Sequence, residues 1–79
     1  MKLNVVVKEQ WNFTLYSTEN NERYLSVLCG GVAMYDLNIK LTSEEIAYIS
    51  ENRENLNSLV VKIQNSPSQY TSRNIQLPS

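Results

Sequence analysis

The first half of the chain alternates between apolar and polar residues with a period of two, which is the pattern of half-buried β-strands. Four runs show this alternation, at residues 3–8, 11–16, 23–29 and 32–41. The polar stretch 17–22 and the pair Gly30 and Gly31 separate the later runs, and both are typical of tight turns. The sequence therefore predicts three or four antiparallel strands with short connections, which is a β-meander.

After residue 41 the apolar residues recur at helical spacing. Glu45 follows Thr42 by three residues, as in a capping box, so we expect a helix over about residues 43–51. A second helix should end before Pro67, because its apolar residues lie at positions i, i+3, i+4 and i+7. The polar residues 52–55 favour two helices, although one bent helix is the alternative. The stripe of the second helix is formed by Leu56, Leu59, Val60 and Ile63.

One face of the predicted sheet is strongly apolar, and each helix has one apolar stripe. Burying both surfaces requires the helices to lie across that face. We therefore predict an α+β fold, in which an N-terminal antiparallel β-meander of three to four strands is packed on one face by two C-terminal helices. The first strand should place Leu3, Val5 and Val7 on one side, and the first helix should direct Ile46, Ala47 and Ile49 inward. The inward sheet face should hold Trp11, Phe13, Leu15, Leu25, Val27, Cys29, Tyr35, Leu37 and Ile39.

A chain of 79 residues holds one hydrophobic core, so we predict a single domain. We assign residues 1–66 to the α+β domain and residues 67–79 to a polar C-terminal tail. The tail is rich in Ser, Gln and Asn, and its large apolar side chains are Tyr70, Ile75 and Leu77. Two alternatives stay open for it. A polar terminus frays by default, whereas Tyr70 and Ile75 could dock onto the core.

The composition removes most catalytic and metal-binding chemistry. The chain has no His and one Cys, and its formal net charge is −1. This charge argues against a nucleic-acid partner, which normally requires a basic stripe. We find no apolar run that could span a bilayer or form the core of a secretory signal. We therefore expect a cytoplasmic protein with no cofactor, no metal, no nucleic-acid partner and no membrane contact.

Cys29 is the candidate nucleophile, because it stands next to the flexible Gly30 and Gly31. A cysteine nucleophile must be a thiolate, which a His or a nearby cation usually stabilises. The alternation places Cys29 on the inward face, so we interpret it as a buried structural cysteine. We accordingly predict that the protein is not an enzyme. A small enzyme with a solvent-reachable, ionised Cys29 is the alternative.

The charged residues of the second half also have structural interpretations. Acidic residues at a helix start stabilise it by capping and by interaction with the helix dipole. We therefore interpret the glutamates as caps and solvated side chains rather than as a metal or acid–base cluster. Arg73 beside Tyr70 could form a small stacking or anion site, or its stem could simply cover apolar surface. The glutamates concerned are Glu44, Glu45, Glu51 and Glu54.

The outward face of the predicted sheet is the better candidate for a binding site. Tyr16 and Tyr24 should lie opposite each other across the first hairpin, with Leu28 and Met34 on the same face. Protein-recognition surfaces are enriched in Tyr and Met and poor in Lys and Glu. We predict that these four residues bind another protein or a second copy of this chain. The alternative is that the C-terminal tail covers this face.

The overall layout provides a further indication of function. Its features are the strands, a Cys-Gly-Gly turn at residues 29–31, an LTSEE helix start at residues 41–45 and a Leu-rich second helix. Over residues 1–66 this layout resembles small bacterial immunity or antitoxin-like proteins. The resemblance implies a cytoplasmic, non-enzymatic inhibitor that neutralises a toxin or enzyme by direct binding, and phage-encoded inhibitors share these features. The alternative function is a homodimeric structural or accessory protein, joined through the outward face or a sheet edge.

Overall fold

A computed structural model describes residues 2–30 and 34–77. It confirms the predicted α+β fold: four antiparallel strands form one sheet in the order β1-β2-β3-β4, and two helices follow. Gly31 of the predicted second turn, together with Val32 and Ala33 of the predicted last strand, lies outside the described residues. The elements are β1 (Asn4–Glu9), β2 (Phe13–Ser17), β3 (Arg23–Cys29), β4 (Tyr35–Lys40), α1 (Ser43–Glu51), α2 (Arg53–Asn65) and the short 3₁₀ helices Pro67–Gln69 and Thr71–Arg73.

The core lies between one face of the sheet and the helices. Strand register places Leu15, Leu25 and Ile39 in one row across β2, β3 and β4. Residues paired across strands face the same side, so this row and the neighbouring row on the same side form one continuous apolar face. The helical stripe predicted on α2 closes over that face. Its four residues are buried in the same cluster: Leu56, Leu59, Val60 and Ile63.

The polar turn between β2 and β3 is organised by Thr18. Its hydroxyl oxygen accepts hydrogen bonds from the backbone N–H groups of Asn20 (3.3 Å) and Glu22 (3.2 Å). Thr18 is buried, which is unusual for a polar side chain, and these bonds satisfy it. The turn predicted over residues 17–22 is therefore confirmed, and it fixes the register in which Tyr16 pairs with Tyr24.

Asn52 separates the two helices, so the two-helix alternative is the one observed. Its backbone is extended (φ −158°, ψ 137°), which ends α1, and its side chain accepts a hydrogen bond from the N–H of Glu54, which begins α2. The predicted capping box between Thr42 and Glu45 is present at the start of α1. One polar residue thus ends the first helix and caps the second.

Three of the inward assignments are wrong, and so is the prediction that Val5 and Val7 share one side. Trp11 stands in a turn rather than in a strand. Val5 is exposed because the register shifts between Val5 and Val7, and this β-bulge places the two side chains on opposite faces. Tyr35, the first residue of β4, is also exposed. Ala47 is exposed as well, because α1 contacts the core through a narrower stripe than predicted.

The residues that follow α2 dock on the domain. Tyr70 is buried and belongs to the core cluster. The N–H of Ile75 donates a hydrogen bond of 2.8 Å to the backbone carbonyl of Asn38 on β4, although the Ile75 side chain itself is exposed. Between Tyr70 and Ile75 the C-terminal segment therefore packs against the core, the edge of β4 and Glu45 of α1.

Candidate functional site

The sheet face opposite the helices, which we call the open face, carries the residues predicted to bind a partner. The register places Tyr16, Tyr24 and Lys40 in one row across β2, β3 and β4, with Val5 of β1 beside Tyr16. A second row contains short polar side chains. The open face consists of Val5, Lys8, Thr14, Tyr16, Tyr24, Ser26, Leu28, Asp36, Asn38 and Lys40.

The four predicted binding residues differ in their access to solvent. Tyr16 and Leu28 are half-buried, and Met34, which precedes β4, is 61% exposed. Tyr24 is only 6% exposed, so its ring is not available to a partner, and the expected pair of exposed tyrosines is not found. Alternation identifies the face to which a residue belongs, but it does not show how far neighbouring side chains cover that residue. Tyr24 therefore belongs to the open face, but its neighbours cover it.

One end of the open face is fixed by an ion pair between Lys40 and Glu22. The hydrogen bond to the Glu22 carboxylate, together with its negative charge, raises the pKa of the Lys40 ammonium. The pair is exposed on the lysine side and contributes little to stability for that reason. Its effect is to orient Lys40 beside Tyr24, its partner in register.

Trp11 is the candidate functional residue that the sequence reasoning missed. It is the third residue of a four-residue turn, closed by a 3.0 Å hydrogen bond from the N–H of Asn12 to the carbonyl of Glu9. Its φ is 65°, a left-handed value that type II turns normally assign to Gly at this position. Trp11 is also 79% exposed. The signal in the sequence was a lone Trp flanked by polar residues that favour a turn.

The turn that carries Trp11 is anchored to the helical layer. The side-chain amide of Gln64 on α2 donates to Asn12 Oδ1 (2.8 Å) and to the carbonyl of Leu28 (3.2 Å). The Leu28 N–H in turn donates to the carbonyl of Asn12 (2.8 Å). Because three elements meet here, the left-handed turn is held in place by its surroundings.

A groove of about 250 Å³ lies beside this turn and joins it to the open face. Trp11 and Leu28 provide its apolar surface, and Lys8 and Asp36 provide charges of opposite sign. A mixture of an aromatic ring, an aliphatic side chain and a few polar groups is typical of sites that recognise a protein side chain. Its lining includes Lys8, Trp11, Thr14, Ser26, Leu28 and Asp36.

A second cavity, of about 320 Å³, lies in the helical layer and includes Tyr48, Lys62 and Tyr70 in its lining. Arg73 is close to it, with its guanidinium 5.9 Å from the Tyr70 ring. Of the alternatives left open for Arg73, the anion site is not formed, because both terminal nitrogens of Arg73 donate to the Glu45 carboxylate at 2.9 and 2.6 Å. These hydrogen bonds lower the pKa of Glu45 and raise that of Arg73.

Cys29 has the environment of a structural residue. It is 3% exposed, and burial raises the pKa of its thiol, with a smaller contribution from the negative charge of Asp36. A raised pKa keeps the sulfur protonated at neutral pH, whereas a nucleophile requires the thiolate. The predicted buried, structural role of Cys29 therefore matches its position in the fold.

Residues 2–30 and 34–77 contain no group of three or more His, Cys, Asp or Glu side chains placed to hold a metal ion. In the same described part of the chain, no helix is both long and apolar enough to cross a bilayer. Comparison with protein-family models, with curated proteins and with solved structures finds no match to this chain.

Proposed function

We propose that this protein is a non-enzymatic protein-binding module that contacts its partner through the Trp11 turn and the adjoining open face. The observation that carries the proposal is the exposed Trp11 in a left-handed turn. Such a conformation is unfavourable for a bulky residue, and outliers of this kind cluster at functional sites. Tryptophan is also strongly enriched among the residues that dominate binding energy at protein interfaces.

Further apolar side chains extend this surface. Val5 and Val6 on β1 are each more than half exposed, and Val5 lies next to Tyr16 in register. Met34 adds an exposed, flexible side chain that adapts to irregular surfaces. Protein interfaces combine an apolar centre with a polar rim. In our proposal Trp11 is the central anchor, and Lys8 and Asp36 belong to the rim.

Within this class we favour an inhibitor of the immunity type, which binds a toxin or another enzyme directly and blocks it. The layout described above, the absence of His and the buried, protonated Cys29 support a binding role over catalysis. We also propose a cytoplasmic location. A reducing compartment keeps a lone cysteine as a thiol, whereas small secreted domains usually carry paired cysteines.

The test compares Trp11→Gly with a matched control, Val61→Ala, which removes exposed apolar surface from α2. Tagged wild-type protein and both variants are used to capture partners from the native host, and each is coexpressed with the products of neighbouring open reading frames. We expect wild type and the control to retain one specific protein and to relieve its toxicity, and Trp11→Gly to lose both effects.

Retention of that partner by Trp11→Gly at wild-type affinity would contradict the proposal. Loss of binding in the Val61→Ala control would also contradict it, because the contact would then involve the helical layer. Circular dichroism spectra of both variants must match that of the wild type, so that a loss of binding is not a loss of fold.

A further inference from the structure

The outer edge of β4 is covered by the chain's own C-terminal segment. Asn38 directs both backbone groups away from β3: its N–H donates to Asn74 Oδ1 (2.9 Å), and its carbonyl accepts from the N–H of Ile75 (2.8 Å). The carbonyl of Lys40, two residues further along, accepts from Arg73 (2.9 Å). Alternate residues of an antiparallel strand point to the same edge, so residues 73–75 occupy the positions of a neighbouring strand.

This cover is only a partial substitute for a strand. At Asn74 a side-chain amide stands where a paired strand would present a backbone carbonyl. The side-chain oxygen Oδ1 of Asn38 is buried and has no hydrogen-bond partner among the described residues. Because an unpaired buried polar atom is unfavourable, the docked arrangement leaves Asn38 incompletely satisfied.

The same edge is complementary to itself. If two copies of β4 pair antiparallel about Asn38, Asp36 of each copy lies opposite Lys40 of the other. Both residues point to the open face, since they pair in register with Leu28 and Tyr24. Opposite charges directly across two strands stabilise the pairing, and two-fold symmetry provides this contact twice. The two Asn38 amides also face each other, which gives each orphaned oxygen a donor.

We propose that residues 73–75 guard a self-association edge: when they are displaced, two copies of the chain pair through β4, antiparallel and centred on Asn38. The occupant of the opened edge is thus a second copy of this chain. Arg73 is the residue that keeps the guard in place, because it joins Glu45 of α1 to the backbone of β4. This inference rests on the edge of β4 and not on the Trp11 turn, and it shares Asp36 and Lys40 of the open face with the surface of the proposed function.

The test begins with two ways of opening the edge in the full chain. Arg73→Ala combined with Asn74→Ala removes the side-chain hydrogen bonds that hold residues 73–75 against β4. Ile75→Pro instead removes the N–H that donates to Asn38 and leaves Arg73 in place. Sedimentation velocity over micromolar to millimolar concentrations should show a monomeric wild type and a concentration-dependent dimer for both variants. Hydrogen exchange at the backbone N–H of Asn38 shows whether the edge is open. Variants that stay monomeric at every concentration although this N–H is unprotected would overturn the proposal.

The register is tested by charge reversal in the Arg73→Ala, Asn74→Ala background. Adding Asp36→Lys places like charges opposite each other and should abolish the dimer. Adding Lys40→Asp to that variant restores opposite charges and should restore the dimer. A dimer that is insensitive to Asp36→Lys forms through another surface, and that result would also overturn the proposal.

Discussion

Replacing Trp11 should reveal a site where glycine is more stable than alanine. The left-handed conformation costs an L-residue about 1–2 kcal/mol, because Cβ approaches the following carbonyl oxygen. Trp11 adopts this conformation with φ 65°. Glycine avoids that cost but loses roughly 0.5–1 kcal/mol through the greater freedom of the unfolded chain. We therefore expect Trp11→Gly to be more stable than Trp11→Ala by roughly 0–1.5 kcal/mol, with a central value of about 0.75 kcal/mol.

The comparison of Gly with Ala removes the ring from both variants, so the packing of the ring cancels. The matched control is Val61, an exposed residue within α2. In a helix interior the order reverses, and Val61→Gly should be less stable than Val61→Ala by about 1 kcal/mol. If the Gly variant is the more stable at position 11 and the Ala variant the more stable at position 61, the backbone conformation is the cause of the difference.

The assay is urea denaturation followed by far-ultraviolet circular dichroism, because the chain's single tryptophan is absent from the Trp11 variants and fluorescence would lose its probe. A thermal melt gives a second measurement, in which a difference of about 1 kcal/mol corresponds to roughly 4–8 °C for a domain of this size. Trp11→Ala more stable than Trp11→Gly would refute the left-handed turn, and with it the main support for the proposed function.

Three further predictions concern stability and reactivity. Arg73→Ala should weaken the loss of stability that the wild type shows on acidification. The lowered pKa of Glu45 stabilises the folded state above the ordinary glutamate range, and this stabilisation is lost as the pH falls through and below ~4. Denaturant midpoints of both proteins at several pH values measure the difference. Asn52→Ala should lower the free energy of unfolding by about 1 kcal/mol in urea denaturation, because it removes the cap of α2. Asn57, an exposed residue within α2, is the control, and an equal loss for Asn57→Ala would contradict a capping role. Cys29 should react with a thiol reagent only as fast as the protein unfolds, and rapid labelling of the native state would contradict its burial.

The features that could be predicted from sequence are those set by local spacing. Period-two alternation marked four runs and predicted three or four strands, of which four are found, and the three-residue spacing of Thr42 and Glu45 located the start of α1. Both patterns express contacts between residues that are near each other in the chain or on one face of one element. The helical stripe of α2 belongs to the same category, because burial of that stripe follows directly from its spacing.

The features that could not be predicted depend on interruptions of the pattern and on contacts between distant residues. The bulge at Val5–Val7 and the turn at Trp11 each break the alternation, and nothing in the apolar pattern shows where a break occurs. The burial of Tyr24 depends on the side chains around it on other strands. The ion pair between Arg73 and Glu45 joins residues that are 28 positions apart, and no local pattern encodes it.

The two edge strands of the sheet are protected in different ways, and the difference determines which edge can change state. An exposed edge offers unpaired backbone groups to any extended chain. On β1 the bulge at Val5–Val7 belongs to the strand itself and shifts its hydrogen-bonding register in every copy of the fold. On β4 the protection is a separate segment, held by one guanidinium and a few hydrogen bonds. A bulge is lost only when the sheet unfolds, whereas a docked segment is released when its contacts break. In our proposal, β4 is therefore the edge at which association is controlled without unfolding the domain.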